Sequence, residues 1–110
     1  LPTVEKATGG QTVADIFKNP KAYADKPILI RAKVVKFNPE IMGKNWLHIQ
    51  DGTGDSAAGT HDLTVTTGDT AKVGDIVTVR GKVAVDKDFG AGYSYPVMIE
   101  EASLSANPKP

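Results

Sequence analysis

Ile76-Val77-Thr78-Val79-Arg80-Gly81-Lys82-Val83-Ala84-Val85 carries the strongest fold signal in the chain. Its β-branched, alternating residues read as a strand. Gly81 interrupts it, and a glycine inside a strand marks a bulge or a sharp bend. A strand that serves both sides of a small barrel needs such a bend. The turn Val73-Gly74-Asp75 introduces it, and the glycine-rich Phe89-Gly90-Ala91-Gly92 follows it.

Working outward, Pro27 to Asn38 alternates Ile28, Ile30, Ala32 and Val34 against Leu29, Arg31, Lys33 and Val35, a long strand with charge on one face. Asn45 to Asp51 is a second strand, with Leu47 and Ile49 on one side and Trp46, His48 and Gln50 on the other. Asp62 to Thr67 is a third, with Leu63 and Val65 inward, and Tyr93 to Glu100 is the last. In it Tyr93 and Tyr95 share the face of Val97 and Ile99 and read as core or barrel-end packing, with Met98 opposite. Thr12, with Asp15 three residues on, caps a short helix whose stripe is Val13, Ile16 and Phe17. Asn19-Pro20 stops it, and the helix reads as a plug over a barrel end. Five strands are too few for a seven-stranded sandwich. The expected fold is all-β, a five-stranded closed barrel with a short N-terminal helix, an SH3-like barrel being the alternative. Residues 1–10 read as a flexible leader, 11–102 as the domain and 103–110 as a flexible tail.

The 110 residues suffice for one domain. Thirteen basic and thirteen acidic side chains cancel, which argues against a nucleic-acid partner, since such affinity comes largely from neutralising phosphates. The absence of cysteine excludes disulfides, Cys-ligated zinc and thiol catalysis. The longest apolar run, Ile28-Leu29-Ile30, is far too short to span a bilayer, so no membrane insertion is expected. No serine lies in a nucleophile elbow, and Asp51-Gly52-Thr53-Gly54-Asp55 reads as a turn because it lacks EF-hand spacing. An enzyme is not expected. Leu1-Pro2-Thr3-Val4-Glu5 suits the start of a mature exported protein.

The outer face of the second strand carries the residues with the most chemistry. Trp46 and His48 share it, exposed, and Met42 lies in the loop that feeds it. A thioether is a soft, uncharged ligand that prefers Cu(I) or Ag(I), and imidazole adds a stronger donor. An indole face can cover the bound cation. Met98, the only other methionine, completes a two-Met, one-His set, with His61 as its competitor. The plainer readings are that Met42 caps a barrel end, Trp46 covers a strand edge and His48 is solvated. Nucleic acid is the rival ligand, with Trp46 as a stacking platform beside Arg31, Lys33, Lys36 and Lys44.

Val73-Gly74-Asp75-Ile76-Val77-Thr78-Val79-Arg80-Gly81-Lys82-Val83 resembles the fourth-strand signature of OB-fold domains of the tRNA-anticodon-binding type. Leu47-His48-Ile49-Gln50-Asp51-Gly52-Thr53-Gly54 resembles their second strand and turn. Three stretches more narrowly resemble small exported bacterial OB proteins, the NrfJ-like group associated with nitrite-reductase gene clusters. They are Ile41 to His48, Asp62 to Thr67 and Asp88 to Pro96. The resemblance covers roughly residues 10–102 and implies an OB fold and a periplasmic setting. In ligand types the site also resembles that of the periplasmic copper/silver chaperone of the Cus efflux system, where the histidine precedes the tryptophan and two methionines follow. Here the order is Met42, Trp46, His48. The expected function is a monomeric periplasmic Cu(I)- or Ag(I)-binding metallochaperone or copper buffer, its client a periplasmic metalloprotein or cytochrome. The alternatives are a single-stranded nucleic-acid binder and a metal-free accessory protein of a nitrite-reductase system.

Overall fold

The structure, a computed structural model, describes residues 4–106. In chain order it holds α1 (Val13–Lys18), α2 (Pro20–Tyr23), β1 (Pro27–Ile41), β2 (Lys44–Gln50), a 3-10 turn (Ser56–Ala58), β3 (Leu63–Thr67), β4 (Ile76–Asp88) and β5 (Ser94–Ala106). The protein is mostly β, and its five strands close into a ring in the order β1-β2-β3-β5-β4, with β4 returning to β1. Neighbours are antiparallel except β3 and β5, which run parallel.

All five expected strands form, and they differ from expectation mainly at their ends. β1 continues to Ile41 and β4 to Asp88. β5 continues to Ala106, paired there with Val77, so residues 103–106 belong to the ladder instead of a loose tail. Residues 107–110 lie outside the described residues, as do residues 1–3 of the expected leader. From Val4 onward the leader lies against the ring. The Val4 N–H donates to the Asp51 carbonyl at 3.1 Å, Ala7 is buried, and the Arg31 guanidinium donates to the Glu5 and Lys6 carbonyls.

Alternation fills the inside of the ring. Ile28, Ile30, Ala32 and Val34 of β1 meet Leu47 and Ile49 of β2, Leu63 and Val65 of β3, Val77, Val79 and Val83 of β4, and Val97 and Ile99 of β5. Val13 and Ile16 of α1 join this cluster, as expected of a plug. Thr12 and Asp15 form the expected capping box. A second cap comes from the turn after β2. Asp51, only 2% exposed, accepts the Val13 N–H on Oδ2 at 2.9 Å and the Thr53 N–H on Oδ1 at 3.0 Å. The Thr53 hydroxyl accepts the Ala14 N–H at 2.9 Å. The Asp-Gly-Thr cluster is therefore a turn that also holds a helix end, satisfying donors that α1 leaves without intrahelical partners.

Gly81 is needed for space. A Cβ there would lie 2.5 Å from Ile99 Cγ2 and 3.1 Å from Ala102 Cβ. The irregularity expected at Gly81 is present, but its extra residue sits on the partner strand. Arg80 pairs with Ser103 and Lys82 with Glu100, so Glu101 and Ala102 together face Gly81, and Glu101 takes a φ of 52°. Two residues opposing one is a β-bulge, which bends the strand as ring closure requires.

Candidate functional site on the outer face of β2, β3 and β5

Outside the ring lies a second, smaller apolar cluster. Trp46, Ala84 and Met98 form its buried part, with Phe89 and Tyr95 packed against them. Trp46 meets the Phe89 ring edge-on at 5.2 Å between centroids and the Tyr95 ring, tilted, at 5.8 Å. The indole N–H donates to the Ile41 carbonyl at 2.9 Å, tying the ring to the end of β1. Trp46 was expected to stand exposed; it is on the outer face but only 6% exposed, because the β4–β5 hairpin folds its aromatics over it. Lys87 lies over the Phe89 ring at 5.8 Å and pairs with Glu100 at 3.4 Å, securing that hairpin.

Tyr95 belongs to this cluster and not, as strict alternation suggests, to the inner core with Val97 and Ile99. The β4–β5 register passes from Val85–Val97 directly to Lys87–Tyr95, and Asp86 opposite Pro96 takes a φ of 51°. Proline has no N–H to give the ladder. The register itself is unshifted there; the positive φ of Asp86 lies between the Val85–Val97 pair of the inner core and the pair that holds Tyr95, and beyond it Tyr95 meets Trp46.

The register sets the spacing among the predicted ligands. His48 pairs with Thr64 across β2 and β3. One residue before the Val65–Ile99 pair, Thr64 stands beside Met98 of β5. His48, Thr64 and Met98 thus form one row on the outer face, with Thr64 in the middle. Two strand spacings separate its ends, about 10 Å between backbones. Met98 is fully buried, and Thr64 and Thr66 are buried as well. Trp46 pairs with Thr66, whose hydroxyl has no hydrogen-bond partner.

Met42 stands apart from this row. It occupies the two-residue turn between the paired Ile41 and Lys44, 53% exposed, with φ of 52°, followed by Gly43 at 77°. From Lys44 to His48 the extended strand alone spans about 13 Å. Met42 therefore belongs with the Trp46 end of β2. The structure brings Trp46 and Met98 together, sets His48 in the same row as Met98, and leaves Met42 at the hairpin tip.

His48 has a fixed partner that sequence reasoning did not find. Its Nδ1 lies 2.7 Å from Asp62 Oδ1, and Gln50 Nε2 donates to Asp62 Oδ2 at 2.8 Å. Burial by itself would raise the Asp62 pKa; hydrogen bonds from His48 and Gln50, with the attraction of His48 and His61, outweigh it and hold the carboxyl below its usual value. His61, the competing ligand, has its Nδ1 buried without a hydrogen-bond partner. Among the described residues no three His, Asp or Glu side chains are grouped to hold a metal ion. The soft donors on this face are the His48 imidazole and the Met98 thioether.

The sequence matches no known protein-family model and no curated protein.

Proposed function

We propose that this chain is an OB-fold barrel of the periplasm that binds Cu(I) or Ag(I) on the outer face of β2, β3 and β5, as a metallochaperone or copper buffer. The ring order and the parallel β3–β5 pairing support the OB reading. The observation that carries the metal reading is the row His48, Thr64, Met98 with Trp46 packed on Met98. The imidazole of His48 and the thioether of Met98 flank Thr64 in that row, a donor pair suited to soft monovalent ions. Trp46, in the same cluster as the thioether, shields the ion from water. Met42, at the strand end, is a separate exposed thioether suited to first capture of the ion from solution or from a periplasmic metalloprotein or cytochrome client.

The nucleic-acid reading draws less support. Trp46, Phe89 and Tyr95 pack on one another, so the rings that would stack bases are occupied. Arg31, one of the basic side chains that would flank a strand, holds the Glu5 and Lys6 carbonyls.

The deciding experiment is a titration of the purified protein with Ag(I), following the emission of Trp46, the single tryptophan. Saturable quenching at one equivalent, lost in Met98→Leu and in His48→Gln, is the expected result. Unchanged emission with all the silver recovered by a competing chelator refutes the reading.

A further inference from the structure

We infer that Asp62, braced by Gln50, is a positioning residue that holds His48 in the Nδ1–H tautomer and so leaves Nε2 as the free donor of the outer face. The inference rests in part on the metal reading above, but its first test does not. Asp62 Oδ1 lies 2.7 Å from His48 Nδ1, and Oδ2 takes the Gln50 amide at 2.8 Å. An ionised carboxylate only accepts hydrogen bonds, so Nδ1 must carry the proton in this contact. In the neutral imidazole the lone pair then falls on Nε2, the nitrogen farther from the backbone.

The arrangement is local and built from the sheet. His48 and Gln50 are two residues apart on β2 and so share a face, which lets one carboxylate bridge both. Asp62 immediately precedes β3, and Ile49 pairs with Leu63, so the register delivers the carboxylate beside them. The other titratable groups near the ring are Lys36, which pairs with His48 from β1, and His61, next to Asp62 in sequence. Neither is in hydrogen-bond contact with Nδ1, so Asp62 alone sets the tautomer. A carboxylate behind a histidine is the arrangement by which metal-binding imidazoles are oriented, and its loss ordinarily weakens metal binding about 10–100-fold.

The test begins with metal-free wild-type protein labelled with ¹⁵N, at a pH above the titration of an ordinary imidazole. Long-range ¹H–¹⁵N correlations report the tautomer of each ring, and His61→Gln identifies which of the two is His48. A protonated Nδ1 and an unprotonated Nε2 are expected; a predominantly Nε2–H ring overturns the inference whether or not metal binds. Asp62→Asn should move His48 toward the Nε2–H form and weaken Ag(I) binding about 10–100-fold. An unchanged tautomer in that variant also overturns it. If the wild-type ring is Nδ1–H and yet takes up no Ag(I), the metal reading fails while the positioning role of Asp62 stands.

Discussion

The protein has two apolar clusters separated by one layer of sheet, and they do different work. The inner cluster draws on every strand and on α1, and it is made almost entirely of aliphatic side chains. The outer cluster is aromatic and sulfur-bearing, lies on β2, β4 and β5, and is completed by the twisted end of a hairpin. Nothing about closing the ring requires a buried tryptophan and methionine on its outside. The inner cluster makes the fold; the outer one makes a covered surface with chemistry in it.

Emptying each cluster in turn should separate the two roles. Leu47→Ala, in the inner cluster, should lower stability by about 2–5 kcal/mol in urea unfolding. Met98→Leu, in the outer one, nearly conserves volume and should cost less than about 1.5 kcal/mol, yet abolish the Ag(I) response of Trp46. Equal losses of stability from the two changes would mean that the outer cluster is simply more core. Asp51→Ala should cost about 1–3 kcal/mol by leaving the Val13 N–H buried without a partner, a test of how α1 is fixed to the inner cluster.

Smaller effects sharpen the outer face. Asp62 has a folded-state pKa below the ordinary 3.8, so its contribution to stability is present above the unfolded value and is lost as pH falls through the folded one. Asp62→Asn should therefore flatten the acid limb of the stability curve below about pH 4, measured by thermal melts across pH. Met42→Asn should raise stability by about 1 kcal/mol or less, since asparagine accepts a positive φ more readily than methionine does. Its Ag(I) affinity at the His48–Met98 row should stay unchanged. A large drop in affinity would place Met42 in the same site after all.

Much of the fold was legible because its signal is local. Period-two alternation placed Ile28, Ile30, Ala32, Val34, Leu47, Ile49, Leu63 and Val65 on the inside, and Thr12 announced the helix cap. The outer face was legible only in part. Alternation put Trp46, His48 and Met98 outside, but it could not say that Trp46 would be covered. That depends on the hairpin around Asp86 and Pro96, where Asp86 takes a positive φ and Tyr95 packs on Trp46 instead of on the face its parity assigns. Asp62 read only as the start of a strand, since a carboxylate fourteen residues from His48 has no local sign of its partner.

The strands, the α1 helix and the inner core follow from the residues themselves, because side-chain period and turn chemistry act over a few residues. Which outer residues meet depends on how the strands assemble. Closing the ring sets β3 parallel to β5 and so lines up His48, Thr64 and Met98 from three separate strands.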